Sequence, residues 1–255
     1  MTHSDRTFSA AHYQERASDY VTSAVHASGA DLDRIEALLI GRKVGRALDL
    51  GCGGGHVAYR AALHADQVVA CDVTPGMLEV VARTAEEKGL SNIATRLAAA
   101  ESLPFETGAF DAVLSRFSCH HWMELEAGLA EARRVTADEG LAVFIDTLGG
   151  PDAAHDTHLQ SVELIRDPSH IRNRNPSEWL RLLSEADFTV EEYATWRIRI
   201  LFDSWCERTR TPPENKTVIR ALQTGAPARV RQFYALADNG DFDLEVGLFV
   251  CRPRR

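Results

Sequence analysis

Residues Asp49 to His56 read Asp-Leu-Gly-Cys-Gly-Gly-Gly-His, an acidic residue in an apolar run that passes at once into a glycine-rich turn. Glycines at alternate positions, Gly51, Gly53 and Gly55, let a backbone turn sharply and lie close against a ligand, where a Cβ would intrude. Doubly wound α/β sheets place their ligand crevice at such a strand-to-turn junction. A chain built around it needs short buried strands alternating with helices. The stretch from Arg46 to Leu148 has that alternation.

Short apolar runs bounded by Gly, Pro or polar residues predict strands at Arg46–Gly51, Val68–Val73, Ile93–Ala98, Phe110–Arg116 and Leu141–Leu148, each buried on both faces. Thr74 as N-cap, Pro75 at the first helical position and Gly89 as terminator predict a helix carrying Met77, Leu78, Val81 and Ala85. A second helix runs from Glu124 to Thr136, with Leu125, Leu129, Ala132 and Val135 on one face. After Gly149-Gly150-Pro151 a polar His/Asp-rich stretch leads to Arg166-Asp167-Pro168, and a helix follows Pro176-Ser177. Phe188–Trp196 and Leu244–Cys251 read as two more strands. Between them lies a helical stretch interrupted at Pro212-Pro213 and Pro227. The N-terminal segment predicts two helices, one with Tyr13, Tyr20 and Val21, the other with Leu32, Ile35, Leu38 and Leu39. The expected division is residues 1–41 as a helical lid, 42–150 as the cofactor-binding core, and 151–255 as sheet completion with a helical insertion that forms an acceptor pocket or dimer contact.

The 255 residues are 45% hydrophobic and 25% charged, ordinary for one globular core, and the formal net charge is −9. An acidic chain offers no footprint for a polyanion, so nucleic acid is not an expected partner. No apolar run approaches the roughly 18 residues of a membrane span, and the polar N-terminus lacks a signal-peptide core, so a cytoplasmic protein is expected. Five scattered cysteines without Cys-x-x-Cys spacing indicate neither a disulfide framework nor a metal site. Cys119 beside His120 and His121 fits packing better than a nucleophile and its base.

The dinucleotide fingerprint needs a third glycine where this chain has His56. Asp49, two residues before Gly51, would repel a pyrophosphate but suits a cationic amino group, which S-adenosylmethionine (SAM) carries beside its sulfonium. Asp72 ends the second strand about twenty residues further on, where a carboxylate takes both ribose hydroxyls. Alone it would read as a helix cap.

In these stretches the chain resembles the class I SAM-dependent methyltransferases, in the methyltransferase type 11 branch that includes the ubiquinone/menaquinone-biosynthesis enzymes. The resemblance runs in order through Ala47–Ala58, Val68–Leu78, Glu101–Phe105 with Gly108–Asp111, Ser115–Trp122 and Leu129–Val135. It implies a Rossmann-like, doubly wound seven-stranded sheet, mostly parallel with an antiparallel last strand. It also implies SAM as cofactor: Asp49, Gly51, Cys52 and Gly53 at the methionine end, Asp72 at the ribose, Val73, Met77, Ala100 and Glu101 at the adenine, and Ser115 beside the sulfonium. Many relatives have an acid where Ala99 stands and a Lys-Pro-Gly-Gly turn where this chain has Ala137-Asp138-Glu139-Gly140. The first departure leaves the adenine amino contact unassigned; the second reads as a turn.

Methyl transfer is an in-line displacement, and an acceptor that is a phenol or enol must also lose a proton to a base. His121, then His120, are the candidate bases, with packing or orienting roles as the alternative for both. Arg116 is placed either to anchor an acidic or quinone-like oxygen of the acceptor or to form an ion pair. Tyr20, Ser23 and His26 reach the pocket if the N-terminal helix is a lid, and are solvated if it only packs. Two functions fit these residues: methyl transfer from SAM to an O, N or C atom of a small molecule, or SAM binding by a regulatory or assembly protein without catalysis.

Overall fold

The computed structural model describes residues 29–254. The first predicted helix, with Tyr13, Tyr20, Val21, Ser23 and His26, lies outside the described residues. The second is α1 (Ala30–Leu39), which buries Leu32, Ile35, Leu38 and Leu39 as its spacing requires.

Seven strands form one sheet. They are β1 (Val44–Leu50), β2 (Ala65–Asp72), β3 (Ile93–Leu97), β4 (Phe110–Arg116), β5 (Thr136–Thr147), β6 (Phe188–Ile200) and β7 (Phe242–Pro253), in the order β3-β2-β1-β4-β5-β7-β6. The first five pair in parallel, and β7 runs antiparallel to both β5 and β6. Alternate residues of the central strands feed two different cores, because successive side chains of a strand point to opposite faces. Ala47, Val68, Ala70, Leu114 and Ile145 pack with α1, α2 (His56–Ala61) and α3 (Pro75–Glu87). Leu48, Leu50, Val69, Val113 and Phe144 pack with α4 (Leu125–Val135) and α6 (Pro176–Glu185). Burying each such large aliphatic or aromatic side chain contributes roughly 1.5–3 kcal/mol. The strand order reverses between β1 and β4, so the chain leaves their tips toward opposite faces and opens a crevice there.

Four readings change in the structure. Strand β3 is exposed along most of its length, because as an edge strand it lacks cover on both faces. The His/Asp-rich stretch is the helix α5 (Ala153–Arg166), capped by the Asp152 carboxylate, which accepts from the Ala154 and His155 amides. Its inner face carries His155 and Glu163 as well as Leu159 and Val162, which hides the apolar period. Ala137–Gly140 is no turn between elements; it lies within β5, where the register against β4 slips between Phe110 and Ala112. Thr74 stands at the N-cap of α3, but its side chain makes no capping bond.

The helical stretch between β6 and β7 is three helices, α7 (Phe202–Arg208), α8 (Pro213–Gly225) and α9 (Ala228–Phe233). With Leu159 and Val162 of α5 they close a third core around Trp205, Phe242 and Leu244. No helix among the described residues is long and apolar enough to cross a membrane.

Candidate active site

At the β1 tip the turn is tied to its neighbour strand: the Gly51 and Cys52 amides both donate to the Cys71 carbonyl, at 2.8 and 2.9 Å. A Cβ on Gly51 would collide with the Ser118 hydroxyl, which Trp122 Nε1 holds at 3.1 Å. Gly53, with φ of 47°, is the opposite case: a Cβ there would meet no atom within 4 Å, because the position faces open space. That space is a hollow of about 460 Å³, counting its part open to solvent, walled by Asp49, Gly51, Cys52, Gly53, Arg116 and Phe117 among others.

Two carboxylates set the charge here. Asp49 is 1% exposed and accepts from the Ala58 amide at 2.9 Å. Burial, then the charge of Asp72, pushes its pKa up to about 7 against the Ala58 bond. Asp72 accepts from the Gly53 and Thr74 amides, each at 2.9 Å. This end of the sheet therefore suits a cation and opposes a phosphate.

At the β4 tip Arg116 pairs with Asp31 in a buried ion pair and lies 4.7 Å over the Phe117 ring. Phe117 adopts φ of 51°, a left-handed backbone that is costly for a residue with a Cβ, and its amide donates to the Ile145 carbonyl at 2.8 Å. Beyond it a 3₁₀ turn, Cys119–His121, presents both histidines to a second hollow of about 580 Å³ including open space. Phe117 walls both hollows.

The histidines differ in their partners. His120 Nδ1 donates to Asp146 Oδ1 at 2.6 Å, and the same carboxylate accepts the His120 amide at 3.1 Å. Burial pulls the His120 pKa down, but the charge and hydrogen bond of Asp146 outweigh it and leave the ring above its ordinary value. His121 Nδ1 faces the Ser169 carbonyl at 3.1 Å and the Ser169 hydroxyl at 3.2 Å, and burial, then the charge on His120, push its pKa down to about 3.

A family model described as a methyltransferase domain matches residues 48–144. The chain is 40% identical over 196 residues to the uncharacterised protein YafE of Escherichia coli, covering 77% of this chain and 95% of that one. It is 29% identical over 227 residues to the uncharacterised methyltransferase YcgJ of Bacillus subtilis, covering 89% and 90%. The solved structure of YcgJ superimposes with a TM-score of 0.84 at 28% identity, over 88% of this chain and 98% of that one. A demethylmenaquinone methyltransferase of Thermus thermophilus is 36% identical over 131 residues, 49% of this chain and 59% of its own. The chain belongs to the class I methyltransferase family.

In this methyltransferase Asp49, Gly51, Cys52, Gly53 and Arg116 share the first hollow. Asp72 reaches its rim through Gly53. Met77 on α3 and Ala100 beyond β3 are buried, Val73 is half-buried, and Glu101 accepts the Glu124 amide at 3.3 Å. Ser115 is fully buried with its hydroxyl against Cys119 Sγ. Burial holds the Cys52 and Cys119 thiols well above their ordinary pKa, which leaves them as packing groups. Of the two readings of Arg116, the methyltransferase has the ion pair. Asp146 beside His120 is what distinguishes the two candidate bases, His121 and His120. Trp205, one of the C-terminal aromatics that sequence reasoning reads as acceptor pocket, dimer contact or core, walls the second hollow, whereas Asp146 and Glu163 join the site from positions that sequence reasoning does not single out. Of these two, only Asp146 carries a signal that could have found it, an acid that directly follows the apolar run Leu141–Ile145.

The buried Asp49 gives a stability prediction. Its folded pKa is raised above the unfolded value near 3.8, so the folded methyltransferase holds an extra proton between these values. Stability from this group is greatest below the lower value and falls as pH rises toward 7. Asp49→Asn removes the penalty and is expected to raise stability at pH 8 by about 1–3 kcal/mol, while leaving it nearly unchanged at pH 4. Thermal melts at the two pH values check it; an equal shift at both would remove burial as the cause.

Proposed function

We propose that this methyltransferase takes its methyl group from SAM and passes it to a small-molecule acceptor, with His120 as the base. The observation that carries the reading is the shared wall: Phe117 borders both the glycine-turn hollow and the histidine hollow. A donor in one and an acceptor in the other meet at that ring.

The residues present fit the cofactor. Gly53 leaves the space a Cβ would occupy, and Asp49 offers a carboxylate to an ammonium. Asp72 would take the ribose hydroxyls, and Val73, Met77, Ala100 and Glu101 would border the adenine. When bound, SAM supplies an electrophilic methyl group on a sulfonium.

The chain's own part is alignment and proton removal. Gly51 and Gly53 seat the donor end and Phe117 excludes water from the junction, which places the reactants in line. With Nδ1 committed to Asp146, His120 offers Nε2 to the acceptor's proton. Asp146 then stabilises the imidazolium that forms, as a carboxylate paired with a histidine base does.

Asp72→Ala is expected to weaken SAM binding by about 1.5–3 kcal/mol, the scale of hydrogen bonds to a charged group. Calorimetry on the folded variant decides it, and parental affinity would reduce Asp72 to a brace for Gly53 and Thr74. The whole reading is tested by incubating the protein with methyl-labelled SAM and a metabolite extract. Label on a small molecule, with S-adenosylhomocysteine formed, is the expected result. SAM binding without transfer to any component would favour a regulatory or assembly role.

A further inference from the structure

Arg116 brings a positive charge to the wall of the first hollow, the space assigned to a cationic cofactor. A guanidinium without a counter-charge there would oppose both the ammonium and the sulfonium. Its partner Asp31 comes from outside the sheet, in the first turn of α1, where the helix dipole favours a carboxylate. The side chains of the pair are 4% and 7% exposed. Leu32 and Ile35 of the same helix are fully buried, and a Cβ on Gly29 would strike the Asp31 carboxylate, so the approach to α1 is shaped around that group. On its other side the guanidinium lies 4.7 Å over the Phe117 ring.

The charge of Arg116 reaches the carboxylate that the cofactor would meet. Burial raises the Asp49 pKa most, the Ala58 amide lowers it, Asp72 raises it and Arg116 lowers it. Paired with Asp31, Arg116 adds no net charge, and Asp49 and Asp72 dominate the potential of the hollow. Without Asp31 the guanidinium would offset one of them. SAM and S-adenosylhomocysteine differ by one charge, the sulfonium of the donor against the thioether of the product. Their affinity ratio therefore reads the potential at the sulfur.

We infer that Asp31 determines specificity for the charged donor: by cancelling Arg116 it leaves the hollow negative and weights binding toward the sulfonium. This rests on the assignment of the first hollow to SAM.

The test is calorimetry of SAM and S-adenosylhomocysteine on the full chain and three variants. Asp31→Asn keeps the shape and removes the counter-charge of Arg116, so the SAM-to-S-adenosylhomocysteine affinity ratio is expected to fall about tenfold. Arg116→Met leaves the charge of Asp31 in place and is expected to raise the ratio about tenfold. The double variant removes both charges, and its ratio should stay within about threefold of the parent's. Breaking a buried pair can unfold a chain, so circular dichroism accompanies each titration; where one single variant does not fold, the other and the double variant decide. A merely structural role weakens both ligands alike. Unchanged ratios, or shifts of one sign in both single variants, overturn this inference and leave the cofactor assignment standing. A parent chain that binds neither compound removes the cofactor assignment, and this inference with it.

Discussion

Gly53→Val is expected to abolish SAM binding, with a loss of at least about a hundredfold, while the chain stays folded. The native position faces the hollow, and a Cβ placed on it has no atom within 4 Å, so the first carbon of a valine clashes with nothing in the protein. The side chain does fill the space assigned to the cofactor. The φ of 47° adds a cost, since a β-branched residue in the left-handed region loses roughly 1–2 kcal/mol. That cost lies within the stability margin of a domain this size. Circular dichroism should remain native-like, with calorimetric heats of SAM binding lost. Retained affinity would make the turn a chain reversal and move the cofactor elsewhere.

His120→Ala is expected to lower methyl transfer by about 10²–10⁴-fold with little change in SAM affinity, because the ring sits on the acceptor side of Phe117. The base must be neutral to accept a proton, so the rate of the parent protein rises with pH through the His120 pKa and then levels off. Asp146 holds that pKa above the ordinary 6.5, which puts the limb on the alkaline side of that value. Asp146→Asn keeps the shape but removes the charge, and should move the limb to lower pH as well as slow the reaction. His121→Ala should leave the limb in place, because a ring held near pKa 3 does not titrate in this range. Should His120→Ala keep the parental rate and pH profile, catalysis would rest on positioning alone.

The central parallel strands β1, β2 and β4 are legible in the sequence because runs buried on both faces are dense in Val, Leu, Ala and Cys, whereas the burial expected of β3 fails at the sheet edge. The glycine turn is legible for a related reason: only backbone geometry explains three glycines at alternate positions. Helix α5 is not, since its buried face spends two positions on His155 and Glu163, whose surroundings come from other elements. The difference in partners between His120 and His121 is beyond the sequence too. Adjacent residues of one type differ only in what the fold brings to them, and Asp146 arrives from the next strand, 26 residues away. Arg116 shows the same limit from the other side, as its partner Asp31 comes from a helix 85 residues earlier.

The two hollows draw on different parts of the chain. Every described residue walling the first lies between Asp49 and Phe117, whereas eight of the twelve on the second lie from Glu163 onward. Under the proposed assignment, donor recognition and acceptor recognition would be encoded in consecutive, largely separate stretches that meet at Phe117. Grafting α5 and the segment from β6 to β7 from a relative with another substrate onto this chain would exchange one recognition surface and keep the other. Methyl donors would then stay constant across a family while the molecules they modify diverge, which makes the insertion between β6 and β7 the natural target for redirecting the enzyme by design.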